Sequence, residues 1–101
     1  MDIFTALAEP RRREILEQLL SGPCTVNGLV ESLSMSQPMA SKHLKVLREA
    51  GIVKVRPEGQ RRWFSLRREP FEALQDWLAR YRAYWTEELD SLERFLDENP
   101  D

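Results

Sequence analysis

Residues Ser36 to Val53, SQPMASKHLKVLREAGIV, describe one short helix bounded at both ends. Ser36 supplies a side-chain oxygen for an N-cap, Pro38 falls in the first turn where its missing N–H is harmless, and Gly51 follows the last helical residue as a stop. At about 100° per residue, Ala40, Leu44 and Leu47 form one stripe, while Pro38, Ser41, Lys42 and Lys45 lie on the other side. The outward face is polar, basic and free of acids through three turns. Such a helix fits a DNA major groove, about 12 Å wide, where short polar side chains suit base edges and flexible ammonium groups suit phosphates.

Two β-prone runs follow, Ile52 to Arg56 and Arg61 to Leu66, around the turn residues Pro57-Glu58-Gly59-Gln60. A hairpin directly behind a helix of this type reads as a wing. From Ser36 to Arg68 there are nine basic residues against two acids, a local charge of +7 in a chain whose net charge is −2. A judgement from the overall charge would miss a positive field confined to one third of the chain.

The remaining segments are helical. Ile3, Phe4 and Leu7 make a short apolar face before Pro10, and Arg11 to Leu20 reads as a helix with Ile15, Leu16, Leu19 and Leu20 inward. Ser21-Gly22-Pro23 ends it. Thr25 is the expected N-cap of a helix running to Leu33, with Val26, Leu29, Val30 and Leu33 buried, and Ser34-Met35 is the tight turn before Ser36. From Glu69-Pro70 a long helix repeats Phe71, Leu74, Leu78, Tyr81, Trp85, Leu89, Leu92 and Leu96 on one face as far as the Asn99-Pro100 terminator. This last segment holds ten acids and three arginines, so it is not a DNA surface. Trp77, Tyr84 and Phe95 flank its stripe. That is more aromatic area than one packed face needs, and it is accounted for if the helix packs on its own domain and on a second copy.

The run Ala6-Leu7-Ala8-Glu9-Pro10-Arg11-Arg12-Arg13-Glu14-Ile15-Leu16, with Ser36-Gln37-Pro38, Ser41-Lys42-His43-Leu44 and Leu47 to Val53, resembles the ArsR family of bacterial winged-helix repressors across roughly residues 3 to 68. The resemblance implies a mainly α winged helix-turn-helix with a two-stranded hairpin wing and N- and C-terminal dimerisation helices. One domain then spans 1–101, with a DNA-reading part at about 10–68 and a dimerisation helix at about 70–97. It also implies a homodimer that represses transcription from operator DNA. On that basis the expected DNA contacts are Ser36, Gln37, Pro38, Ser41, Lys42, His43, Lys45, Arg61 and Arg62. Gln37 and Ser41 suit base edges, with Lys42 or Lys45 as an alternative reader there, and Lys42, Lys45, Arg61 and Arg62 suit phosphates. The expected dimer interface combines Ile3, Phe4 and Leu7 with Leu78, Tyr81, Trp85, Leu89 and Leu92, used isologously by both copies.

Members of that family that sense thiophilic metals commonly carry Cys-Val-Cys where this chain has Thr25-Val26-Asn27. Residues 69–101 hold neither His nor Cys, so no metal and no cofactor is expected. His43 is a lone ring, read as a packing or phosphate-contacting residue rather than a ligand. Cys24, alone in the chain, reads as an inert loop residue more readily than a redox sensor. Met35 and Met39 read as packing or thymine-methyl contacts. The Arg11-Arg12-Arg13 triplet leaves two readings open, a solvated surface or phosphate contacts.

An enzyme is not expected, since there is no Ser-His-Asp set and no phosphate-cradling glycine loop. No apolar stretch approaches 18 residues and no signal peptide is visible, which points to a cytoplasmic chain with no membrane partner. At 101 residues a monomer's core is modest, so extra burial through dimerisation is useful. The rival to DNA binding is a protein-interaction module using the acidic aromatic helix. The inducing signal, the operator and the regulated gene are not legible.

Overall fold

The computed structural model describes residues 1–100. Its elements run α1 (Ile3–Ala8), α2 (Pro10–Leu19), α3 (Val26–Leu33), α4 (Gln37–Glu49), β1 (Val53–Glu58), β2 (Arg61–Leu66) and α5 (Arg68–Glu98). The chain divides into two compact units, Met1–Phe71 and Glu72–Asp101.

In the first unit each helix start has a local cause. Asp2 accepts the Thr5 N–H at 2.8 Å, Glu9 accepts the Arg12 N–H at 2.7 Å with Pro10 in the first turn, and Thr25 accepts the Gly28 N–H at 3.0 Å. Ser36 accepts the Met39 N–H at 3.2 Å. Each bond satisfies one of the amide donors a helix start leaves open. Gly51, at φ 76, supplies the left-handed residue that ends α4. Ser34 adopts φ 52 in the turn between α3 and α4, a conformation unusual for a residue with a Cβ.

The core of this unit is built from Ile15, Leu29, Leu44, Leu47, Ile52 and Val53, all but sealed from solvent, with Ile3, Leu16, Leu19, Met35 and Phe64 around them. A fully buried side chain of this size is worth about 1.5–3 kcal/mol. Ala40, Leu44 and Leu47 form the inner stripe of α4 as the periodicity predicts, and Leu29 is the most deeply buried residue of α3. Leu20 departs from expectation and is 72% exposed. The end of α2 tightens, with Leu20 N–H bonding the Glu17 carbonyl and Ser21 N–H the Gln18 carbonyl. Three-residue turns of this kind swing Leu20 off the buried stripe.

The hairpin pairs Val53 with Leu66 through to Glu58 with Arg61, leaving Gly59-Gln60 as a two-residue connection with Gly59 at φ 62. Pro57 and Glu58, read from sequence as turn residues, lie in β1 instead. Pro57 is tolerated because of the register. Phe64 exchanges both its backbone hydrogen bonds with Cys24, at 2.8 and 3.0 Å, on the edge away from β1, so Val55–Phe64 is a pair without mutual bonds. Two residues further along the ladder, Pro57–Arg62 is the same kind of pair, where no N–H is needed.

In the second unit α5 continues as one uninterrupted helix to Glu98, with Asn99 N–H returning to the Phe95 carbonyl at 3.0 Å. No residue of α5 is buried, and Leu89 is 64% exposed. Trp77, Tyr81 and Trp85 form an aromatic ladder, with ring centroids 5.0 and 6.1 Å apart. No helix among the described residues is long and apolar enough to cross a membrane.

Candidate nucleic-acid interface

The outward face of α4 carries the polar residues its periodicity assigns to it. Gln37, Pro38, Lys42, Lys45 and Arg48 are exposed and Ser41 is half-buried. Gln37 Nε2 donates to Ser41 Oγ at 2.9 Å, joining the two expected base readers across one turn. The Ser36 hydroxyl accepts the Met39 N–H, which fixes where the helix begins, and keeps its own proton to donate.

Arg61 and Arg62 occupy successive positions of β2 and are both exposed. Side chains alternate along a strand, so Arg62 shares the face of Phe64, while Arg61 shares that of Trp63 and Ser65. The Phe64 face is the inner one. Arg62 accordingly lines a cleft with Val26, Ser41, Leu44, Lys45, Arg48, Glu49 and Phe64, which brings wing and helix cations to one opening. Sequence reasoning missed this convergence, because it depends on how β2 docks against α4. Alternation within β2 was the available signal.

The arginine triplet is tied into helix ends. Arg12 reaches the Thr5 carbonyl at 3.3 Å and Arg13 the Leu7 carbonyl at 3.1 Å, both at the end of α1. Arg11 pairs with Glu14 at 2.8 Å and extends to the Leu33 carbonyl at 3.5 Å, at the end of α3. Cations at open helix carbonyls are favourable, so all three have structural employment apart from any phosphate.

His43 is half-buried. Glu9 is held below the ordinary carboxylate range chiefly by the Arg12 N–H, with the Arg11 N–H and the charges of His43 and Arg12 assisting. Burial pushes the Cys24 thiol upward, and its Sγ lies 3.6 Å from the Gly22 carbonyl. A protonated thiol is a weak nucleophile, in keeping with the inert reading. Met35 is buried, and Met39 is partly exposed on α4.

Of the residues expected at a dimer interface, Ile3 differs: at 3% exposure it already belongs to the core of the first unit. Leu7 and Leu78 are half-buried, whereas Phe4, Tyr81, Trp85, Leu89 and Leu92 are exposed.

Four helices, the last two a capped α3-turn-α4 pair, followed by a two-stranded hairpin, define a winged helix-turn-helix protein. The model of the bacterial regulatory proteins of the arsR family matches residues 9–55. The chain is 40% identical over 98 residues to the HTH-type transcriptional regulator Rv2034 of Mycobacterium tuberculosis, covering 97% of this chain and 89% of that protein. It superposes on the crystal structure of the ArsR family transcriptional regulator RHA00566 with a TM-score of 0.69 at 37% identity, covering 83% of this chain and 92% of the other. It also resembles the homodimeric winged helix-turn-helix DNA-binding domain (fragment 1-100) of Mb0332 from Mycobacterium bovis, a possible ArsR-family transcriptional regulator. There the TM-score is 0.63 at 31% identity, covering 76% of this chain and 74% of that one. The chain belongs to the arsR family of bacterial regulatory proteins.

Proposed function

We infer that this protein is a homodimeric transcriptional repressor that binds an inverted-repeat operator in duplex DNA. The observation that carries the reading is the outer face of α4, where the joined Gln37 and Ser41 lie beside exposed Lys42 and Lys45, with Arg62 of the wing bordering the same opening as Ser41 and Lys45. Gln37 suits the adenine edge, which offers an acceptor and a donor side by side, and the cations neutralise phosphates. His43 and Pro38 complete the face that meets the duplex, and Ser36 sets its register.

Dimerisation rests on α5. A helix with no buried residue and with Tyr81, Trp85, Leu89 and Leu92 exposed is an apolar surface in search of cover, and a copy of the same surface supplies it. In the first unit, Phe4 is exposed and Leu7 half-buried, and a second copy would cover these as well. Regulators of this kind work in the cytoplasm, and occupation of an operator blocks transcription with no catalytic chemistry.

Fluorescence anisotropy with a labelled duplex over a range of salt concentrations tests the reading. A log-log slope near minus 0.9 for each phosphate neutralised is expected. A protein-interaction module would instead leave duplex affinity negligible at every salt concentration.

A further inference from the structure

The cleft between α4 and the wing combines an apolar floor with a cationic rim. Its volume is about 560 Å³, inside the range of roughly 300–1,000 Å³ typical of small-molecule sites. The floor is Leu44 and Phe64, both buried, with the half-buried Val26. The rim holds Lys45, Arg48 and Arg62 against the single acid Glu49, and all four are exposed. Duplex phosphates would meet such a rim, while the apolar floor behind it suits a body with a flat hydrocarbon face. We propose that this cleft binds a small amphipathic organic anion, an aromatic carboxylate in chemical class, and that such a ligand releases the protein from DNA.

The fit is one of charge and shape together. A flat apolar body covers Val26, Leu44 and Phe64, and the carboxylate meets the rim cations, with the Ser41 hydroxyl as a further donor. Lys45, Arg62 and Ser41 are also placed on the DNA-reading surface, so ligand and operator compete for the same groups. A ligand that binds only the free protein lowers apparent operator affinity by one plus its concentration over its Kd, about tenfold per cleft at ten times Kd. The regulatory half of this inference rests on the proposed function; the binding half does not.

The test uses 1-naphthoate and the full ¹⁵N-labelled chain. Saturable amide shifts centred on Val26, Ser41 and Arg62 are expected, and naphthoate should displace a labelled duplex over the same concentration range. Glu49→Gln, at an exposed position, should tighten naphthoate binding roughly two- to fivefold by removing the one repelling charge. Val26→Trp fills the floor and should abolish the shifts while the remaining amide spectrum stays dispersed. Shifts confined to residues 72–98, or no saturable shifts, would overturn the site. Cleft shifts without release of bound duplex would overturn the regulatory half. A chain that binds naphthoate in the cleft and no duplex at any salt concentration would defeat the proposed function while upholding the site.

Discussion

Gln37 and Ser41 hold each other across one turn of α4, the amide Nε2 donating to the hydroxyl at 2.9 Å. The bond uses one amide hydrogen and leaves the second hydrogen, the Gln37 carbonyl oxygen and the Ser41 hydroxyl proton for a base. An amide fixed in this way loses less freedom on docking than a free one. Replacing either residue with Ala should cost about 1–3 kcal/mol on the cognate operator and much less on random duplex. Because the two act as a unit, the double substitution should cost less than the sum of the singles. Anisotropy titrations of the four proteins on both duplexes provide the check, and equal losses on cognate and random DNA would remove the pair from base reading.

The wing is expected to respond unevenly. Both arginines border an opening beside Gln37, but only Arg62, on the strand face of Phe64, also lines the cleft against Ser41 and Lys45, so the two are not placed alike. Arg61→Ala and Arg62→Ala should differ in their effect on affinity, and the one that contacts phosphate should lower the salt slope by about one unit. Equal, negligible effects would mean that α4 docks without the wing.

These residues also mark how far the sequence is legible. Ser36, Thr25 and Gly51 announce the ends of α3 and α4 because capping is local, decided within three or four residues. The inner stripe of α4 follows from period alone. Strand register left no such signature: the ladder with β2 sets Pro57 opposite Arg62, inside a strand, where composition assigned it to the turn, and the Cys24–Phe64 bridge joins residues forty apart. Glu9 as the cap of α2 and the arginines at the ends of α1 and α3 likewise depend on which helices meet. The cleft between α4 and β2 is legible only once the strand is docked.

Ser34 offers a test of the turn itself. Its φ of 52 is costly for a side chain with a Cβ, by about 1–2 kcal/mol, and glycine removes that cost while adding about 0.5–1 kcal/mol of unfolded-state entropy. Ser34→Gly should therefore stabilise the fold by up to about 1 kcal/mol, raising Tm by a few degrees in calorimetry. A lowered Tm would show that the Ser34 side chain contributes more to the native turn than its strain removes.

Assembly should be visible by mass. With Tyr81, Trp85, Leu89 and Leu92 exposed along α5, sedimentation at low micromolar concentration should give twice the chain mass. Leu89→Ser, at a position 64% exposed in the chain by itself, should shift the protein toward monomer while the first unit keeps its cooperative unfolding. A native protein that sediments as a monomer would return the aromatic helix to a different partner.

In the proposed dimer, two copies of α4 read two copies of one sequence. Selection of bound duplexes from a random pool tests it most directly. Enrichment of an inverted repeat is expected, with half-site centres about one helical turn apart, roughly 34–36 Å or a multiple of that. Recovery of no enriched sequence, or of a single unrepeated half-site, would contradict it.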